Sequence, residues 1–309
     1  MRIFLNRHGE IRCGWSAAAA LLFMLIAQTI VIVLILLIST MIGIFGSLPP
    51  DLLVQIMEIL SELAIFAAIV LLFRLLYKRP LSQMGLSMKG FAGDFIAGVI
   101  MGAVCISAVA LATIALGYGK ARWVGFTMDN TRYIILNCVL HLTVGLAEET
   151  LARGYLMTAF KTTRQKWLIV ASSGIIFGLL HLGNPGVTLF SVINIALIGF
   201  AFAFMFVKRG NIWMPVGFHF IWNFLQGSLY GSAVSGGEAV SLIHLTQEGP
   251  DLFTGGDFGF EGGIFTTIVT ILCTLAVLLL CPKKENPQWT LDSDLPLNRI
   301  MVKPAASDM

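Results

Sequence analysis

The stretch AAAALLFMLIAQTIVIVLILLISTMIGIF, Ala17–Phe45, carries no charged residue. A helix needs about 20 mostly apolar residues to cross a bilayer, whereas the core of a cleaved leader is roughly 7–15 residues long. The run therefore reads as a retained span. Seven more follow, at about 52–76, 91–117, 133–157, 167–183, 186–207, 211–229 and 262–281. Prolines 49, 50, 80, 185 and 215 and glycine pairs near 236 and 255 punctuate them where loops or helix starts are expected. The predicted fold class is all-α, a polytopic membrane protein with about eight transmembrane helices. No tandem repeat is visible. Residues 1–132 hold the N-terminal segment and three spans, 133–229 hold spans four to seven, and 230–309 hold an acidic loop, the last span and a polar tail. Pro287, Pro296 and Pro304 mark that tail as a loosely ordered segment.

Composition agrees. Of the 309 residues, 57% are hydrophobic and 12% charged, with a mean hydropathy of +0.86; soluble domains carry about 25% charged residues. A net charge of +3 gives no footprint for nucleic acid, and the partner expected from composition is the lipid bilayer. The five cysteines, at 13, 105, 138, 273 and 281, show neither a disulfide framework nor a metal-ribbon spacing.

Lys and Arg fall in alternate loops. Arg2, Arg7 and Arg12 precede span one, Arg74, Lys78, Arg79 and Lys89 lie at and after the end of span two, and Lys161, Arg164 and Lys166 follow span four. Lys208–Arg209 follow span six and Lys283–Lys284 span eight. The other loops are nearly free of them, apart from Lys120, Arg122 and Arg132, and loop 230–261 holds Glu238, Glu248, Asp251, Asp257 and Glu261 without a basic residue. Cytoplasmic loops carry the excess of Lys and Arg, so both termini are expected in the cytoplasm, with the chain in the plasma membrane.

Ionisable groups inside spans are costly, and they mark function or pairing. Span four ends in His141-LTVGLA-Glu148-Glu149-TLA-Arg153-Gly154, span five contains Phe177-GLL-His181, and span seven contains His219-FIW-Asn223. Glu149 and Arg153, at i and i+4, share a helix face and suit an ion pair. Glu148 lies about 100° around the helix, toward the bundle interior. A structural role for both carboxylates, or a wet helix end, is the alternative, and His181 alone is as easily a satisfied core histidine. Depth favours a site: at about 1.5 Å per residue, Glu148, His181, His219 and Asn223 fall in one slab of the membrane on the order of 10 Å thick. His141 and Asn194 are further polar residues of spans four and six, fit for the cavity or for interhelical hydrogen bonds.

A carboxylate in an apolar cavity is a competent general base for water. A histidine can share that activation or carry a proton, and a histidine with an Asn carboxamide one turn away offers two donors to an oxyanion. The set describes hydrolysis of an acyl bond. Glu148, His181 and His219 also have the donor types that hold zinc, although HExxH is absent.

These three motifs, Glu148-Glu149-xxx-Arg153-Gly154, Phe177-xxx-His181 and His219-xxx-Asn223, resemble in order those of the CPBP membrane proteases. That family, also called the CAAX protease and bacteriocin-processing or Abi family, includes the type II CAAX prenyl endopeptidase. The likeness covers roughly residues 133–229. It implies an intramembrane endopeptidase whose cavity opens toward the cytoplasm. Glu148 and His181 would activate water, and His219 and Asn223 would stabilise the oxyanion. Glu149 and Arg153 would be structural, and Phe177 would pack beneath the site. Both a metalloprotease and a metal-free glutamate mechanism have been argued for the family, so a divalent metal, zinc, stays open. The implied substrate is a peptide or membrane protein, not necessarily prenylated. The competing readings are a non-catalytic peptide-binding or immunity protein of the same fold, and a proton-coupled transporter. The latter lacks the internal repeat common in transporters.

Overall fold

The computed structural model describes residues 3–42, 49–237, 240–285 and 289–291. Each of the eight apolar runs contains a helix: α1 Cys13–Ile42, α2 Pro50–Tyr77, α3 Phe91–Ala115, α4 Met128–Glu149, α5 Lys166–Leu180, α6 Leu189–Arg209, α7 Trp213–Phe224 and α8 Ile264–Leu280. Five of them, α1 to α4 and α6, are long and apolar enough to cross a membrane by length and composition. Of the expected eight spans, five are thus full-length among the described residues, while α5, α7 and α8 are shorter than a span requires. α1 presents Leu22, Leu25, Ile30, Val33, Leu34 and Leu37 outward. Such a continuous apolar exterior suits hydrocarbon and not water.

The chain is mostly helical, but β1 (Gly119–Trp123) pairs antiparallel with β2 (Ile243–Gln247), from Gly119↔Gln247 to Trp123↔Ile243. Lys120 and Arg122 alternate with Ala121 and Trp123, and His244 and Thr246 with Ile243 and Leu245, but each run is short and lies in a loop between helices, so only their meeting makes a sheet. Lys120 reaches Glu248 at 2.7 Å across this ribbon. A basic residue that breaks the loop asymmetry therefore faces the acidic loop.

Local signals set the helix starts. Thr127 caps α4 by accepting from the Asn130 amide while Asn130 accepts from the Thr127 amide, and Thr188 and Ser191 do the same for α6. Such boxes satisfy amides that have no partner within the helix. α3 and α7 then pack backbone to backbone. A Cβ at Gly98 would lie 2.0 Å from the Met214 carbonyl oxygen, and one at Gly217 would lie 2.2 Å from that of Phe95. Small residues permit this closeness where no hydrophobic force separates helix from lipid.

The bundle has two distinct ends. At one, Arg164 pairs with Glu10, Arg209 and Lys284 converge on Asp94, and the Trp289 indole donates to Thr158. Trp289 is fully buried, so this part of the tail is docked; Pro287, Pro296 and Pro304 lie outside the described residues, as do Arg2 and Glu238. At the other end stand the β ribbon and the segments 230–237 and 240–263, where Asn184 donates to the Ser235 carbonyl.

Candidate active site

α4 continues beyond Glu149 as a π-helical turn, Thr150–Leu156, and α7 continues beyond Asn223 as another, Leu225–Leu229. Such wide turns cluster at functional sites. Each begins within two residues of a motif residue. His181 is not inside a helix as expected. It follows the last residue of α5, and its Nδ1 lies 2.8 Å from the Phe177 carbonyl oxygen. A carbonyl only accepts, so Nδ1 carries the proton and Nε2 of the neutral ring is left as an acceptor.

Glu149 and Arg153 form the anticipated pair, at 2.7 Å with both side chains fully buried. Arg153 also donates to the Gly199 carbonyl at 3.0 Å, and its guanidinium lies 4.4 Å from the centre of the Phe177 ring. The pair has a third member. The Glu149 oxygen that accepts from Arg153 lies 3.1 Å from Nδ1 of His219, while Nε2 of His219 lies 3.9 Å from Glu148. His219 thus sits between the two carboxylates, held by one and turned toward the other.

Glu148, His181, His219 and Asn223 all line one cavity of about 690 Å³. Glu148 and His181 also line a second cavity of about 250 Å³ beside α1 and α2. Oε2 of Glu148 and Nε2 of His141 are buried and have no hydrogen-bond partner among the described residues; His141 lines the larger cavity. Asn194 instead ties α6 to the loop before α8, donating to the carbonyls of Glu261 and Gly263 and accepting from Thr267.

Three carboxylates were not singled out from the sequence. Glu58 and Glu62 of α2 line the same cavity. They were legible, because they too interrupt an apolar run at i and i+4. Glu261 was not, since it reads as one acid of a loop. It is buried, accepts at 2.8 Å from both the backbone and the hydroxyl of Ser235, and shares a small pocket with His181, His219 and Asn223. Burial pushes its carboxyl above the usual carboxylate range, against the opposing pull of Ser235 and the two histidines.

Among the described residues no three His, Cys, Asp or Glu side chains converge to hold a metal ion. Glu148, His181 and His219 do not form a zinc set in this geometry.

Apolar helices surrounding a pocket of glutamate, histidine and asparagine define an integral membrane protein with a polar interior site. Residues 129–225 match the Rce1-like family, described as type II CAAX prenyl endopeptidase Rce1-like. The match spans α4 to α7 and contains all three motifs. No curated protein matches the chain.

Proposed function

We propose that the protein is an intramembrane endopeptidase that hydrolyses a peptide bond with water activated by Glu148 and His181. The observation that carries this reading is the meeting of Glu148, His181, His219 and Asn223, from α4, the end of α5 and α7, on one cavity wall. Glu148 offers an unpartnered carboxylate oxygen to a water, and Nε2 of His181 offers a second acceptor. As the water oxygen bonds to the peptide carbonyl carbon, its proton passes to this pair and the carbonyl oxygen becomes an oxyanion. Asn223 donates an N–H to it. His219, held through Nδ1 by Glu149, supplies the second donor to the oxyanion through an Nε2–H. The C–N bond then breaks, the proton moves to the leaving nitrogen, and a carboxylate and an amine result. Arg153 and Glu149 act one step away as positioning residues, fixing the ring of His219.

The substrate is a peptide or a membrane-associated protein. The test compares the termini of membrane proteins in cells producing the wild-type chain or Glu148→Ala at equal levels. A cleavage product confined to wild-type cells supports the reading. A cellular phenotype that survives both Glu148→Ala and His181→Ala, without any such product, would replace it with peptide binding alone.

A further inference from the structure

The resemblance implied a cavity open to the cytoplasm, while the basic loops imply cytoplasmic termini. The structure makes these two expectations incompatible. Arg12, the segment 161–166, Arg209 and Lys284 lie at the end of the bundle tied together by the Glu10–Arg164 and Asp94 ion pairs. The catalytic cavity is lined at the opposite end. Val54 and Tyr133 come from the second turns of α2 and α4, and Ser235 and Val240 from the segment before β2. None of its lining residues belongs to the segments 78–90, 161–166, 208–212 or 281–291. Tyr133 stands about 22 Å along α4 from Glu148, at 1.5 Å per residue, so the cavity descends from that far end to the catalytic groups.

We infer that the cavity opens on the extracytoplasmic face, and that the substrate is a peptide segment exposed there. Short loops rich in Lys and Arg stay in the cytoplasm. That rule fixes the loops at 78–89, 161–166 and 208–209 inside and the cavity mouth outside. The three basic residues at the mouth end, Lys120, Arg122 and Arg132, do not reverse the balance against the eight in those loops. A chain terminus prenylated in the cytoplasm would have no access to this mouth. An outer juxtamembrane stretch of a membrane protein, or a peptide arriving from outside, would. The substrate half of this inference rests on the hydrolase reading above; the orientation half does not.

The test has two arms, in bacterial cells producing the full chain. Val240→Cys and Lys166→Cys, each in a background with the native cysteines replaced, are treated with a membrane-impermeant maleimide. Position 240 is expected to label in intact cells and position 166 only after permeabilisation; the reverse pattern overturns the inference. Should the cysteine-free background fail to accumulate, a C-terminal green fluorescent protein reads the same orientation. It fluoresces if the tail is cytoplasmic, and an alkaline phosphatase active at that terminus overturns the inference.

In the second arm, a mixture of impermeant fluorogenic peptides, free or fused to a single-span anchor, is presented to each face of sealed vesicles. Cleavage from the extracytoplasmic face that Glu148→Ala abolishes supports the inference, and the two peptide forms separate a soluble from a tethered substrate. Cleavage only in inverted vesicles overturns it. No cleavage from either face removes the hydrolase reading and the substrate half with it, while the labelling still decides orientation.

Discussion

Nδ1 of His219 lies 3.1 Å from Oε1 of Glu149, the oxygen that also accepts from Arg153 at 2.7 Å. A single buried carboxylate therefore neutralises a guanidinium and holds the ring that faces Glu148. The second glutamate of the motif orients, and the first is left open to the cavity.

This division of labour separates two isosteric substitutions. Glu149→Gln leaves Arg153 as an uncompensated buried charge, a change that costs about 3–5 kcal/mol, so its thermal unfolding in detergent should fall steeply. Glu148→Gln removes a half-buried group whose Oε2 has no partner among the described residues. It is expected to unfold within about 1 kcal/mol of wild type and to have lost cleavage. Equal destabilisation of the two would contradict the assignment.

Asn223→Ala should lower kcat by roughly 10²–10³ with little change in KM, the size of effect seen when one oxyanion donor is removed. Steady-state cleavage of a fluorogenic peptide measures it. A rise in KM alone would move Asn223 from the transition state to substrate binding.

Close packing of α3 on α7 places His219, so Gly217→Ala should reduce both accumulation and melting temperature. Its new Cβ would lie 2.2 Å from the Phe95 carbonyl oxygen, backbone that can yield only by separating the helices. Gly14→Ala, whose Cβ meets nothing within 4 Å, is the matched control and should be neutral.

Glu261 gives a pH dependence. Burial raises its folded-state pKa above the unfolded value, so the neutral carboxyl is the favoured form. The stability it contributes is full below the unfolded pKa and is lost as pH rises through the folded one. Glu261→Gln cannot ionise. The variant should match wild type near pH 4 and grow more stable relative to it as pH rises, in melting curves recorded between pH 4 and 9. A difference that stays flat with pH would contradict the shift.

Activity should survive dialysis against a strong chelator, with the residual metal content measured in the same sample, because the reaction as drawn uses only side chains and water. Loss of activity that zinc alone restores would require Glu148, His181 and His219 to converge more closely than they do here.

Which segments are helical and apolar is legible in the chain alone, because burial in lipid demands long uncharged runs. The same runs also exposed Glu148, Glu149, Arg153, His181, His219 and Asn223, since an ionisable or amide group inside such a run has no cheap reason to exist. Glu58 and Glu62 could have been found by the same rule. Folding in three dimensions was needed to show that Glu149 serves His219 as well as Arg153, that Glu261 lies beside the histidines, and that β1 pairs with β2. Each of these joins residues far apart in the chain, and spacing along one helix carries no information about which groups another element will bring within hydrogen-bond reach. The end of the bundle at which the cavity opens is likewise a property of how the helices meet.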